Sequence, residues 1–332
     1  MKLGIVGTGK IVGEALAALR QVEELQVQAI CSRPHSREKA EALADAYEIP
    51  EVYTDYAELL ARPLDFVYIG LVNSAHYAYA RQAILAGRNV ILEKPFTSTA
   101  AEAEALAALA RERHVYIFEA VSFLYMPNFS KIQENLPRLG HLKLVQCNYS
   151  QYSSRYDAYL AGEAAPAFSP ELSGGALYDI NSYNLSFVVA LFGPPQEVRY
   201  RANRGFNGID TSGTVLLVYE NFFAVCTGAK DSASPGGCTL QGDKGYICVK
   251  GAPNEMTNFE LCLSGGRAET QNYNAYEHRM VHEFKAFAAL YAAGDWQAHL
   301  QALERSVKVA HVLEAARRDA GISFAADAAL DR

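Results

Sequence analysis

The first 120 residues alternate between short apolar runs and amphipathic stretches of helical period, and few folds accept that pattern. Runs at 3–6, 27–31, 51–54, 66–69, 90–92 and 115–118 read as strands. The stretches at 11–20, 36–47, 75–86 and 99–113 read as the helices between them. Parallel neighbours cannot be joined by a hairpin; they need crossovers, and right-handed helical crossovers cover both faces of the sheet. The expectation is an α/β chain whose residues 1–120 form a Rossmann doubly wound parallel sheet.

Directly after the first run comes Gly7-Thr8-Gly9-Lys10-Ile11-Val12-Gly13. Glycines there permit a tight turn and let a pyrophosphate approach the backbone at a helix N-terminus. The third glycine falls one place late for G-x-G-x-x-G, and a plain strand-to-helix turn would also fit the spacing. Its position between the first strand and the first helix favours a dinucleotide, with Gly7, Thr8, Gly9, Lys10 and Ile11 against the phosphates. The second strand ends in Cys31-Ser32-Arg33-Pro34-His35, with no acid to hold ribose hydroxyls. Ser32 and Arg33 can instead meet a 2′-phosphate, so NADP(H) is expected in preference to NAD(H). Stacking of Arg33 on adenine is the alternative.

Past residue 120 the pattern changes to alternating runs at 141–152, 197–203, 211–219, 222–230, 237–241, 246–250 and 258–263, followed by helical stretches at 277–293 and 299–320. Glu220-Asn221 and Gly242-Asp243-Lys244-Gly245 read as hairpin turns. Residues 121–332 are therefore expected to form an α+β domain with a large, open, mainly antiparallel sheet. The net charge of -7 is spread along the chain, which argues against nucleic acid or an anionic membrane as partner. No apolar run approaches the roughly 18 residues of a membrane helix, and no secretory signal precedes the first strand. A cytoplasmic protein with a small-molecule partner is expected. The six cysteines are widely spaced and read as reduced thiols. His278 and His282, followed by Glu283, lack the H-E-x-x-H order and a third ligand, so no metal site is expected.

The fifth strand run leads into Glu93-Lys94-Pro95 at the carboxyl edge of the sheet, where open α/β folds bind ligands. Together with Gly7-Thr8-Gly9, Gly174-Gly175-Ala176-Leu177-Tyr178-Asp179-Ile180, Asn73 and His76 after the fourth strand, and Glu119 ending the sixth, this resembles the Gfo/Idh/MocA oxidoreductases over nearly the whole chain. Val72 stands where that family's P-N-x-x-H has proline. The resemblance implies that Lys94 donates to the substrate oxygen beside the nicotinamide, with a cis bond to Pro95. It also implies that Asn73, His76 and Glu93 belong to the cofactor site, and that the open sheet face forms a homodimer or a dimer of dimers.

Asp179 and Tyr183 are four apart and share a helix face. In the resembled family these positions bind substrate, and the second is often a histidine that exchanges the proton; tyrosine there matches members resembling dihydrodiol dehydrogenase and glucose-fructose oxidoreductase. A phenol is a poor base at neutral pH unless a cation lowers its pKa, and Lys94 is the expected cation. Asp179 would hold a neighbouring hydroxyl or orient the lysine. Asn181 replaces the family's usual glycine, and Leu124 stands where many members have arginine, so no anion contact is carried over there. Tyr125, Tyr152 and Arg155 remain as candidates to line the pocket, with packing or exposed-loop roles open. The function expected is an NAD(P)-dependent dehydrogenase or reductase acting on CH–OH groups of a small polyhydroxylated substrate: a sugar, cyclitol or dihydrodiol. The alternatives are a non-catalytic NAD(P)-binding sensor or regulator, and an NAD-dependent glycosidase.

Overall fold

Six short strands pair in parallel: β1 (Lys2–Val6), β2 (Gln26–Cys31), β3 (Glu51–Tyr53), β4 (Phe66–Ile69), β5 (Asn89–Glu93) and β6 (Ile117–Ala120). Their order across the sheet is β3-β2-β1-β4-β5-β6, so the chain reverses direction across the sheet between β1 and β4. The crossovers carry α1 (Lys10–Leu19), α2 (Arg37–Tyr47), α3 (Tyr56–Ala61), α4 (His76–Leu85) and α5 (Ala100–Arg113). Every residue of β4 is buried, as two covered faces require. A capping box, in which Thr99 and Glu102 each bond the other's backbone N–H, sets where α5 begins.

The computed structural model describes residues 1–329, which divide into two compact units: Met1–Ala120 with His278–Val307, and Val121–Glu277 with the chain from Lys308 on. A single domain running on from residue 121 was the sequence expectation. The difference has a packing cause in α9 (Arg279–Ala292), which buries Met280, Val281, Phe284 and Phe287. Phe287 stacks on Phe118 of β6 at 4.6 Å, Phe284 meets Tyr68 edge-on at 5.9 Å, and Tyr291 meets Phe66 at 4.9 Å. Apolar side chains of the parallel sheet are thus covered by a helix distant in sequence. The boundary between the units falls inside α10 (Trp296–Asp319).

The second unit holds α6 (Pro127–Asn135), β7 (Leu142–Ser150), α7 (Tyr156–Leu160), α8 (Ser182–Phe192), β8 (Glu197–Arg204), β9 (Asp210–Val218), β10 (Phe223–Ala229), β11 (Gly237–Gly242), β12 (Gly245–Lys250), β13 (Phe259–Leu263) and β14 (Glu269–Gln271). Its sheet runs β14-β13-β12-β11-β7-β10-β9-β8. All its neighbours are antiparallel except β7 and β10, which are parallel because helices and other strands intervene between them. One face of the sheet buries Val145, Cys147, Val215, Leu217, Ala224, Cys226, Leu240 and Ile247 in the core with Leu185, Phe187 and Val188 of α8. Alternate residues such as Gln146, Thr214, Phe223 and Tyr246 face the other way and are exposed.

Candidate active site

In the first unit the loops at the carboxyl edge bring the sequence-predicted cofactor residues to one side of the sheet. Gly7 has φ +118°, and a Cβ there would press on the carbonyl of Gly70, so the turn after β1 requires glycine. Gly9, just before α1, has open space where a Cβ would stand. The N-terminus of α1 has neither a capping side chain nor an acid in its first turn, so its backbone donors and positive dipole end are left for an anion. Thr8 is partly buried; Lys10 is exposed and approaches Glu14 at 3.9 Å. Beyond β2, buried Ser32 donates its hydroxyl to the Arg33 carbonyl at 3.2 Å, and the Arg33 side chain is exposed. The fit to a dinucleotide follows from strand order: β2, β1, β4 and β5 are successive, so three interstrand steps, roughly 14 Å, separate the exit bearing Arg33 from the exit bearing Lys94.

Lys94 leaves β5 through a cis peptide to Pro95 and is partly exposed. Behind it lies Glu93, whose Oε1 accepts from the Tyr68 hydroxyl at 2.8 Å and whose Oε2 accepts from the Lys94 N–H at 3.2 Å. Burial raises the Glu93 carboxyl above its ordinary range, against the hydrogen bond from Tyr68 and the charges of Lys94 and Arg279. Two further acids are sealed in this unit. Burial lifts Glu119 to about 7, and burial aided by Glu93 raises Glu283, whose Oε2 has no hydrogen-bond partner. His76 is fully buried: Nδ1 meets the Pro95 carbonyl at 2.8 Å and Nε2 the Leu71 carbonyl at 3.2 Å. Burial lowers its pKa to about 4, so the imidazole is neutral and can donate to only one of them. The shorter contact favours Nδ1–H donating to Pro95. Glu93 and His76, expected at the cofactor, have side chains that brace the turn carrying Lys94. Asn73 opens the short 3₁₀ turn after β4.

In the second unit, Gly175 has φ +99°, and a Cβ there would collide with the Asp210 carboxylate. Buried Asp210 accepts from the Leu177 N–H at 2.6 Å and the Tyr200 hydroxyl at 2.8 Å, which fixes where the following helix begins. Residues Leu177–Asn181 then make a π-helical turn that runs into α8. The sequence reading had one regular helix here. Asn181, where the resembled family has glycine, donates to the Cys226 carbonyl at 3.0 Å and ties this turn to β10. Asp179 is partly exposed and accepts from the ammonium of Lys230, whose side chain is only 4% exposed. Tyr183 is 7% exposed, its ring 6.0 Å from that of Tyr149.

Lys230 was missed by the sequence reading, which held it only as the last residue of the run 222–230. A charged residue closing a buried strand was the available signal. Of the looser candidates, Tyr125 lies partly buried in the 3₁₀ turn Ser122–Tyr125, Tyr152 is 44% exposed and donates to Asp157 at 2.5 Å, and Arg155 is exposed before α7. Among the described residues no group of three His, Cys, Asp or Glu side chains is arranged to hold a metal, and no helix is long and apolar enough to cross a membrane.

Residues 1–121 match the model of the Gfo/Idh/MocA oxidoreductase family with an NAD-binding Rossmann fold, and residues 137–248 match the C-terminal domain of the same family. The chain is 32% identical over 330 residues to scyllo-inositol 2-dehydrogenase (NADP(+)) of Bacillus subtilis, covering 99% of this chain and 100% of that one. It belongs to the Gfo/Idh/MocA oxidoreductases. The trans-1,2-dihydrobenzene-1,2-diol dehydrogenase of Danio rerio is 27% identical over 98% of this chain and 99% of its own. Among solved structures, the 3-ketoreductase of Actinomadura kijaniata in complex with NADP and TDP-benzene superposes with a TM-score of 0.85 at 23% identity, over 96% of this chain and 97% of that one, and shows the same fold. As a Gfo/Idh/MocA member the protein is an NAD(P)-dependent oxidoreductase, and the uncapped turn after β1 fits that cofactor class.

Proposed function

We propose that this oxidoreductase prefers NADP(H) and interconverts the carbinol and carbonyl forms of a small polyhydroxylated substrate, a cyclitol, sugar or trans-dihydrodiol. The reading rests on one observation in each unit: Lys94 is partly exposed at the carboxyl edge that also bears the glycine turn, and one helical segment of the second unit carries both Asp179 and Tyr183. When bound, the nicotinamide supplies or accepts the hydride at the substrate carbon. Lys94 donates to the oxygen on that carbon and stabilises negative charge there. Tyr183 takes or gives that oxygen's proton, and the cation Lys94 favours the phenolate form that makes it a base. Asp179, an acceptor when ionised, holds a neighbouring hydroxyl and so favours polyols over simple alcohols. Gly7, Thr8, Gly9, Lys10 and Ile11 hold the phosphates, Asn73 flanks them, and Ser32 with Arg33 receives the 2′-phosphate. Tyr125, Tyr152 and Arg155 line the substrate side.

Two similarities support the substrate class: that to an NADP-dependent inositol dehydrogenase and that to a dihydrodiol dehydrogenase. The free cysteines support a reducing, cytoplasmic setting. The outer face of the eight-stranded sheet, with Phe223 and Tyr246 exposed, is the contact between two copies of the chain; light scattering that shows a stable monomer would count against it. Initial rates on cyclitols, aldoses and trans-dihydrodiols with each cofactor test the whole reading. A polyol turned over with a lower KM for NADP than for NAD is expected, and Arg33→Ala should raise the NADP KM about tenfold with little effect on NAD. NADPH binding without turnover of any polyol or ketone in the panel would favour a sensor, and a lower KM for NAD would remove the preference.

A further inference from the structure

We propose that Lys230 is a positioning residue for this reaction, holding Asp179 ionised and aimed, and joining the substrate-side loop to the helix that bears it; the inference rests on the role given to Asp179 above. Lys230 immediately follows β10, and its three polar groups reach three different elements. The N–H donates to the Thr211 carbonyl of β9 at 2.8 Å. The carbonyl accepts from the Ser153 N–H at 2.9 Å, anchoring the segment that carries Tyr152 and Arg155. The ammonium donates to Asp179 Oδ2, and the Phe168 ring lies 4.7 Å from Nζ.

Lysine is almost never buried unless paired, and this one is 4% exposed while its partner's side chain is 35% exposed. The pair therefore turns its acid, and not its cation, toward solvent. The other acids nearby are engaged elsewhere. Asp231 Oδ2 accepts from the Thr211 and Ser212 hydroxyls, each at 2.7 Å, and Asp210 Oδ2 serves the Leu177 N–H and the Tyr200 hydroxyl. A substrate hydroxyl donating to Asp179 thus meets a carboxylate with a positive charge fixed behind it and its rotation restrained.

A double-mutant cycle on the fastest polyol of the panel tests this, with NADPH titration as the control for fold. Lys230→Met keeps the stem against Phe168 and removes the charge; it should lower kcat/KM by about 10–100-fold, with Lys230→Arg recovering most of the loss and NADPH affinity within about twofold throughout. In the Asp179→Asn background the same change should cost less than about twofold, because residues acting through one another do not add. Equal losses in both backgrounds, or no loss in the first, overturn the proposal while leaving Asp179 in place. Wild-type turnover in Asp179→Asn overturns the role of Asp179 and this inference with it. If Lys230→Met does not fold, Lys230→Gln takes its place in the cycle, judged by the same outcomes.

Discussion

Lys94 and Lys230 each follow the last residue of a strand, β5 and β10, and each has a carboxyl group for a neighbour, yet the two arrangements are inverted. At Lys94 the acid is the buried member: Glu93 is 4% exposed, with Glu119 and Glu283 sealed in the same unit, and the lysine reaches the sheet edge. At Lys230 the ammonium is buried and Asp179 reaches solvent. Burial disfavours the charged form of an acid, so the first unit keeps carboxyls of raised pKa behind a partly exposed cation. A lysine cannot be sealed as a cation without an acid beside it, so the second unit holds an ion pair whose exposed member is the anion. One edge offers a hydrogen-bond donor and the other an acceptor.

The largest effect that would break this contrast is on Lys94. Lys94→Met should lower kcat/KM by about 10³-fold, the scale of a lost acid–base or charge-stabilising group, while NADPH affinity measured by fluorescence changes less than about threefold. Surviving turnover would leave the fold and cofactor intact and remove the chemistry assigned to that edge. Tyr183→Phe comes next. Loss of one proton-transfer group should lower kcat by about 10²-fold; near wild-type turnover in steady-state assays would make Tyr183 a packing residue beside Tyr149.

The smallest effect sharpens the electrostatic half of the contrast. A carboxyl raised from 4.5 to about 7 is most comfortable below pH 4.5, and its contribution is lost as pH rises through 7, so Glu119 should cost stability on the alkaline side. His76 and His299, each lowered to about 4 chiefly by burial, act oppositely: their contribution is present above pH 6.5 and lost as pH falls through 4. Glu119→Gln should therefore raise stability at pH 8 by about 1 kcal/mol, seen as a Tm increase of about 2–4 °C, with little change at pH 5. Equal shifts at both pH values would mean that the Glu119 carboxyl does not change charge in this range.

Much of the first unit was legible because its signals are local. Each β4 residue is buried on both faces and reads as an unbroken apolar run, and the turn at Gly7 has no room for a side chain. The hairpins at Glu220-Asn221 and at Gly242–Gly245 were legible for the same reason, since turn chemistry is written in the turn itself. Other features escaped because their causes lie elsewhere in the chain. The π-helical turn at Leu177–Asn181 is anchored by Asp210, and α9 joins the first unit through Phe66, Tyr68 and Phe118, more than 150 residues before it.

The sequence by itself determined the parallel architecture and the family, and put forward the glycine turn, Lys94, Asp179 and Tyr183 as candidates, because periodicity and motif spacing are short-range properties. Only the tertiary structure decided what those residues meet. It turned His76 and Glu93 inward as braces for Lys94, divided the chain after residue 120 between two units, and placed Lys230 against Asp179 across 51 positions. Burial and charge pairing between distant segments are set when the core closes, and the spacing of residues along the chain does not record them.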